Sequence, residues 1–181
     1  MTLADVQLWT IGHSTQSSDE FIVTLLSFNI ETLVDVRSFP ASRRYPQFNK
    51  ENLRGSLRDA GIDYVHLPEI GGRRKAKADS HNVAWRNESF RGYADYMETE
   101  AFRAGIDRLI EIAGASRTAI MCAEAVWWRC HRSLIADFLK ARGAKVIHIL
   151  GHGKSEEHPF TSAARIVNGE LSYRGVLETP E

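Results

Sequence analysis

Two cysteines and one histidine are concentrated in a short segment, residues 122–132, with the sequence CAEAVWWRCHR. A cysteine close to cationic side chains or to a helix N-terminus is favoured as the thiolate, which is the nucleophilic form. Cys130, with His131 beside it, is therefore the predicted nucleophile of a thiol-dependent enzyme, and His131 is its candidate acid or base. Cys122 directly follows an apolar run and is expected to be buried, and it is the second candidate thiol.

The same residue types also suggest a metal site. Cys122, Cys130 and His131, with His13 or His148 as a fourth ligand, have side chains of the kinds that bind zinc. The Cys-x7-Cys-His spacing matches none of the common structural zinc patterns, so no metal ligand is assigned and no cofactor is identified. Metal binding through Cys122, Cys130 and His131 is kept as an alternative function. A disulfide between the two cysteines is geometrically possible, but a reducing compartment would keep both thiols free.

Further polar residues follow the β-branched runs of the chain, where strands are predicted to end. They are His13 and Ser14, Asp35 and Arg37, His66, Cys122 and Glu124, and His148 and His152. Because ligands of open α/β sheets bind at the carboxyl ends of parallel strands, these residues are expected to share one site. His13 is a second candidate acid or base, and Asp35 or Glu124 would orient the base.

Two arginines are candidates for binding an anion. Arg37 and Arg132, at a predicted strand end and helix start, suit bidentate contacts with a phosphate or a carboxylate. Alternatively, each arginine forms a structural ion pair, with Asp35 or with Glu124. The leading hypothesis is a site for a small anionic or phosphate-bearing ligand, with thiol-dependent or acid/base catalysis.

The elements that must position these residues alternate between strands and helices. Short β-branched runs predict strands at 7–11, 32–36, 63–67, 118–121 and 145–150. Helical spacing predicts helices after a capping box at Ser17 and Glu20, and at 50–60, 90–97, 99–113 and 133–142. An Asn-Gly turn within 165–173 predicts a hairpin. The sequence thus predicts one α/β domain over 1–181, with a mostly parallel sheet of about five strands, helices on both faces and a small C-terminal β-hairpin.

Charge is balanced overall but uneven along the chain. Lys and Arg total 23 and Asp and Glu total 23, which excludes nucleic-acid binding through a global positive charge. Residues 37–91 hold twelve basic and six acidic side chains, a local net charge of +6. This segment suggests a nucleic-acid-binding module as an alternative function, although its charges are equally typical of a solvated surface. Its aromatic residues, which could stack on bases, are Phe39, Tyr45, Phe48 and Trp85.

The sequence also bears on location. No apolar run approaches the roughly 18 residues that span a bilayer, so no membrane partner is expected. The start of the chain contains Asp5 and lacks a basic n-region, which argues against a secretory signal. These features predict a cytoplasmic protein with reduced thiols. The polar, basic stretch 69–89 has little pattern, and loops of that length are typically functional or mobile.

Five segments, in this order, resemble the successive motifs of the DUF488 family. They are IGHST at 11–15, LVDVRSFPAS at 33–42, HLPEIGG at 66–72, CAE at 122–124 and CHRS at 130–133. The second segment adds Ser42 to the candidate ligand-binding residues, which are then Ser14, Arg37, Ser42 and Arg132. The family is named for having no assigned function, and some members carry the description DNA repair protein, in line with the nucleic-acid alternative. A fainter likeness, to rhodanese-type domains, concerns only the outline of the fold.

Overall fold

A six-stranded sheet forms the centre of the protein, whose computed structural model describes residues 3–175. Its strands are β1 (Gln7–Gly12), β2 (Thr32–Asp35), β3 (Asp63–His66), β4 (Thr118–Cys122), β5 (Lys145–Gly151) and β6 (Lys154–Glu157). The strand order is β3-β2-β4-β1-β5-β6, in which β1 to β5 are parallel and β6 is antiparallel to β5. Two further strands, β7 (Arg165–Val167) and β8 (Glu170–Ser172), form an antiparallel hairpin. The predicted α/β class, with its mostly parallel sheet and C-terminal hairpin, is confirmed.

Helices cover both faces of this sheet. They are α1 (Ser18–Ser27), α2 (Lys50–Asp59), α3 (Glu88–Tyr96), α4 (Glu100–Ala115) and α5 (Arg132–Ala141). Helices α1 and α2 bury Phe21 and Leu53 against one face, and the other three helices bury Tyr93, Phe102 and Leu134 against the opposite face. Apolar residues occur at both faces of the central strands because helices pack on each side. Within residues 3–175, none of the helices has the length and apolar character needed to cross a bilayer.

After the neighbouring parallel strands β1 and β4, the chain continues toward opposite edges of the sheet. After β1 the chain passes through α1 to β2 on one side of the pair, and after β4 it passes through α5 to β5 on the other side. Since α1 and α5 cover opposite faces, a crevice opens at the carboxyl ends of these two strands, which is where open α/β sheets bind ligands. Gly12 and Cys122 are register partners at this edge.

Strand β6 was not predicted, and its sequence explains why. Lys154–Glu157 is polar and all four residues are exposed, so there is no alternation of apolar and polar residues to indicate a strand. The C-terminal hairpin was predictable because Asn168 and Gly169 take the positive φ angles, 52° and 80°, that its two-residue turn requires.

The long basic loop before α3 is held in place by one buried carboxylate. Asp95 accepts hydrogen bonds from the Lys77 backbone N–H at 2.9 Å, from the Ser80 hydroxyl at 2.6 Å and from the Asn82 amide at 2.8 Å. These contacts give the loop an ordered path against α3, although its sequence has no helical or strand periodicity.

Candidate active site

A cavity of about 690 Å³ opens at the crevice between the ends of β1 and β4. The predicted site residues that line it are His13, Ser14, Arg37, Ser42, Cys122, Glu124, Cys130 and His131. Asp35 and Arg132 do not line it. The parallel sheet therefore gathers side chains from around three strand ends and from the segment before α5 into one place.

The wall between β1 and β4 depends on a close approach of two backbone segments. A Cβ atom on Gly12 would lie 1.7 Å from the carbonyl oxygen of Glu124, so this position accepts glycine only. The next two backbone N–H groups donate to the carbonyl oxygens of Cys122 and Ala123, each at 3.0 Å. Ser14 then adopts a φ of 51°, a left-handed conformation that is uncommon for a residue with a side chain. The backbone contacts with residues 122–124 therefore hold Ser14 in a conformation that it would not prefer on its own.

The two cysteines form a close pair at the cavity wall. The Cys122 and Cys130 sulfur atoms are 2.7 Å apart, and both residues are buried, with 2% and 6% of their surface exposed. Burial would raise the pKa of the Cys130 thiol, but the hydrogen bond from Cys122 and the charge and N–H groups of Arg132 outweigh burial and lower the pKa to about 7. Burial raises the pKa of Cys122 well above its ordinary value, and the neighbouring Cys130 raises it further. The pair is therefore asymmetric: Cys130 ionises first and Cys122 remains protonated.

His131 is oriented toward the Cys130 thiol. Its Nε2 lies 3.0 Å from the carbonyl oxygen of Val36, which can only accept, so Nε2 carries the hydrogen and Nδ1 is the free acceptor. That Nδ1 lies 3.4 Å from the Cys130 sulfur. Burial lowers the pKa of His131, and nearby arginines lower it further, so the ring is neutral near pH 7. Gly72 packs directly against this ring, since a Cβ atom there would lie 2.9 Å from Nδ1.

Arg132 was predicted to bind an external anion, and its position corrects that prediction. The side chain is 1% exposed. Its Nη1 donates to the Thr10 hydroxyl at 3.1 Å, and its Nη2 donates to the Glu124 carbonyl oxygen at 2.8 Å. Its Nε has no hydrogen-bond partner within residues 3–175. The Arg132 charge and its hydrogen-bonding groups also lower the pKa of the nearby Cys130 thiol.

Arg37 and Asp35 form a buried ion pair, the alternative that the sequence had left open. Arg37 Nη2 lies 2.7 Å from Asp35 Oδ2, and Arg37 Nε lies 2.9 Å from Asp35 Oδ1. The Tyr64 hydroxyl donates to the same carboxylate at 2.6 Å, and the Phe48 carbonyl oxygen accepts from Arg37 at 2.8 Å. Asp35 therefore holds Arg37 and does not contact the cavity, which corrects its predicted role as a carboxylate that orients the base.

His13 is buried between Arg37 and an aromatic ring. Its Nδ1 donates to the Ser14 carbonyl oxygen at 2.9 Å, its Nε2 lies 3.4 Å from Arg37 Nη1, and its ring stacks on Phe48 at 4.2 Å. Burial lowers the pKa of His13, and the Arg37 charge lowers it further. His13 is thus a neutral side chain of the cavity lining, in contact with the Arg37 guanidinium.

Exposed charges surround the cavity. Arg73 and Arg129 line it, are exposed, and form no salt bridge within the described part of the chain. Glu124 is an exposed carboxylate on the same lining. Since the charge of Arg37 is balanced by its ion pair, the two exposed arginines leave the lining with a net positive charge.

Other histidines predicted at this edge lie elsewhere. His66 is hydrogen-bonded through Nε2 to the Arg37 carbonyl oxygen at 2.8 Å and does not line the cavity. His152 is exposed in the turn between β5 and β6. His148 points into the core from the middle of β5, so the prediction that it shares the site is wrong. Side chains along β5 pack alternately on the two faces of the sheet, with Val146 on one face and Ile149 on the other. The sequence alone does not show on which face the His148 side chain lies.

His148 belongs instead to a buried polar chain that sequence reasoning missed. The Thr10 hydroxyl lies 2.6 Å from His148 Nδ1, His148 Nε2 lies 2.8 Å from His158 Nδ1, and His158 Nε2 lies 2.8 Å from Asp137. Arg132 contacts Thr10 at one end, and the Tyr173 and Thr161 hydroxyls donate to Asp137 at the other. These residues, Arg132, Thr10, His148, His158 and Asp137, are hereafter the buried polar chain. The sequence indicated this chain only through polar residues at otherwise apolar positions: Thr10 in β1 and Asp137 in α5.

The cysteine and histidine geometry does not fit a metal centre. Two sulfurs bound to one tetrahedral zinc with bonds of about 2.3 Å would be about 3.8 Å apart, whereas Cys122 and Cys130 are 2.7 Å apart. Within residues 3–175, no group of three or more His, Cys, Asp or Glu side chains could hold a metal ion. Within these residues the structure therefore gives the metal-binding alternative no support.

The aromatic residues of the basic segment are only partly available to a nucleic acid. Phe48 is fully buried under His13, and Trp85 packs against Phe90 and Tyr173. Phe39 is 73% exposed at the cavity. The predicted stacking surface of four aromatic rings is therefore wrong for Phe48, and Trp85 is only partly exposed.

Fold and site together define an α/β protein with a parallel sheet and a pair of thiols in a cavity at its carboxyl edge. The model of one family, described as "Domain of unknown function DUF488", matches residues 17–139. The chain belongs to this family, as the sequence motifs indicated. No curated protein and no solved structure matches the chain.

Proposed function

We propose that this protein is a thiol-dependent enzyme that acts on a small anionic substrate, with Cys130 as its nucleophile. The observation that carries the proposal is the position of the Cys130 sulfur, 2.7 Å from the Cys122 sulfur and 3.4 Å from His131 Nδ1, at the wall of a cavity. A thiol in this environment has a donor for its ionised form and a neutral acceptor for its proton.

The proton of Cys130 has a defined destination. His131 faces the thiol with an unprotonated nitrogen, because the Val36 carbonyl fixes the other nitrogen as the donor. Transfer of the proton to His131 leaves a thiolate that is stabilised by the Cys122 S–H, by Arg132 and by the start of α5. His131 is then the acid that returns a proton to the leaving group.

An anionic substrate is favoured by the charges on the lining. Arg73 and Arg129 are exposed and without carboxylate partners in the described residues, and both side chains carry formal positive charge. Arginine suits a carboxylate or phosphate because its N–H groups match two oxygens at once. Glu124, the exposed acid of the lining, offsets part of this charge, so we expect selectivity for anions of modest charge.

Alkylation kinetics test both parts of the proposal. The rate with iodoacetamide, which is neutral, should rise with a midpoint near pH 7 for Cys130, against roughly 8.5 for a free cysteine. Cys130→Ser should abolish this phase. Iodoacetate, which is anionic, should react more slowly with Arg73→Ala and Arg129→Ala, and the iodoacetamide rate should be unchanged. Arg58→Ala, an exposed arginine of α2, is the matched control and should affect neither rate.

Two results would reject the proposal. A midpoint near that of free cysteine would remove Cys130 as an activated nucleophile. Equal losses with both reagents in the two arginine variants would remove the anion preference, because a general change of access would explain them.

A further inference from the structure

We infer that Cys122 and Cys130 form a redox-active dithiol that reduces the disulfide of a small anionic thiol compound and closes to an internal disulfide. The inference rests on the proposed function of Cys130 and deepens it by assigning Cys122 a role and the substrate a class. It follows from three observations: the distance between the sulfurs, the different burial and charge environment of the two thiols, and the position of Cys122 in a paired strand while Cys130 follows a short turn.

The reaction has two balanced steps. The Cys130 thiolate attacks one sulfur of the substrate disulfide, so that a Cys130–substrate bond forms, the substrate S–S bond breaks, and one substrate thiolate leaves. Cys122 then attacks the Cys130 sulfur, so that the Cys122–Cys130 bond forms, the Cys130–substrate bond breaks, and the second substrate thiolate leaves. The substrate disulfide gains two electrons and becomes two thiols, the protein dithiol loses two electrons, and the protons of the two cysteines pass to the leaving groups.

The sulfur atoms are already close to bonding distance. A disulfide has an S–S length of about 2.05 Å, so closure from 2.7 Å requires a movement of only about 0.7 Å. Cys122 ends β4, a strand paired on both sides by β1 and β2, and is therefore fixed. Cys130 follows a short 3-10 turn, Trp127–Arg129, and the preceding residues 123–125 are exposed, so this side of the pair is free to adjust.

The environments assign the order of attack. The charge of Arg132 favours the thiolate form of Cys130. Cys122 is the more buried thiol, and it remains protonated while Cys130 carries a negative charge. When Cys130 is bound in a mixed disulfide, its negative charge is gone, and with it one cause of the high pKa of Cys122. Cys122 is thus more readily ionised after the first step than before it, which is the behaviour of a resolving cysteine.

The cavity selects the substrate class. The disulfide must reach the sulfur of a residue that is only 6% exposed, which disfavours a disulfide held within a folded protein surface. A cavity of about 690 Å³ accommodates a small molecule, and Arg73 and Arg129 favour a carboxylate-bearing one. A low-molecular-weight disulfide with carboxylate groups satisfies both conditions.

Mass spectrometry with two probe disulfides tests the inference. The full chain is reduced, freed of reductant and treated at pH 7 with oxidised glutathione, which is anionic, or with cystamine, which is cationic. With oxidised glutathione, the wild-type protein should lose two hydrogens, release two equivalents of glutathione and keep no adduct. Cys122→Ser should stop at one glutathione adduct on Cys130, and Cys130→Ser should form none. Cystamine should react more slowly, and the difference should shrink in Arg129→Ala.

The outcomes separate this inference from the proposed function. If Cys122→Ser and the wild type both retain the adduct, Cys130 is a nucleophile but Cys122 does not resolve it, and the dithiol inference is overturned. If Cys122→Ser forms no adduct and the wild type loses no hydrogens, Cys130 has not attacked the probe and the proposed function itself fails. Cys122→Ala provides a second test should Cys122→Ser fold poorly, and the urea midpoints of both variants verify that each is folded. A wild-type product with an adduct on Cys122 would also overturn the assigned order.

Discussion

The buried polar chain makes a specific prediction about acid stability. His148 is fully buried in contact with His158 on one side and Thr10 on the other, and its ring stacks on Trp127 at 4.4 Å. Burial, the neighbouring His158 and the charge of Arg132 together lower the pKa of His148 from 6.5 to about 2. The folded protein therefore keeps His148 neutral at pH values where the unfolded chain protonates it.

The magnitude follows from proton linkage. A histidine whose folded pKa lies below its unfolded pKa stabilises the protein above the unfolded value, and the stability is lost as the pH falls below about 6.5. The loss is about 1.4 kcal/mol for each pH unit, so His148 alone should cost about 2 kcal/mol of unfolding free energy between pH 7.5 and pH 5.0. His148→Gln keeps a donor and an acceptor at this position and cannot take up the proton.

Urea unfolding at a series of pH values measures the effect. His148→Gln should be less stable than the wild type at pH 7.5, because it loses the stack on Trp127. The difference between the two proteins should then shrink by about 2 kcal/mol on going to pH 5.0. His152→Gln, at an exposed histidine, is the control and should follow the wild-type profile. Parallel profiles for wild type and His148→Gln would refute the argument, since they would mean that His148 is protonated equally in both states.

The remaining predictions concern packing around the site. Gly72→Ala should displace the His131 ring, because the new Cβ atom would lie 2.9 Å from Nδ1, and should slow iodoacetamide alkylation of the nucleophilic cysteine at pH 7. Gly55→Ala, in α2 with open space around it, should leave that rate unchanged and stabilise the protein by about 0.5–1 kcal/mol in urea unfolding. Asp35→Asn should destabilise it by about 3–5 kcal/mol by leaving Arg37 buried without its counter-charge, and a loss below 1 kcal/mol would contradict the buried ion pair.

Local patterns predicted most of the fold. The β-branched runs identified strands β1 to β5, the capping box of Ser17 and Glu20 forms at the start of α1, and the Asn-Gly turn forms the hairpin. Each of these signals depends on neighbours in sequence. Strand β6 had no such signal, because it is an exposed edge strand without apolar residues.

The candidate site was predictable only where position along a strand determines position in space. Residues at the carboxyl ends of β1 and β4 meet at one edge of a parallel sheet, and His13 and Cys122 accordingly lie near one another. The partners of each side chain were not predictable in this way. Arg132 faces inward to Thr10, and Asp35 faces Arg37, because the side of the sheet and the depth of burial depend on contacts distant in sequence.

The strand order has a consequence for how the protein can be divided. The family match covers residues 17–139, but β1 precedes that region, β5 follows it, and β1 lies between β4 and β5 in the sheet. A protein truncated to the matched region would expose the unpaired edge of β4, which favours aggregation, and would lack Tyr173 and His158, which bind Asp137. The region matched by the family model thus lacks strands that complete the sheet, and a fragment meant to retain the thiol pair should run from β1 through the C-terminal hairpin.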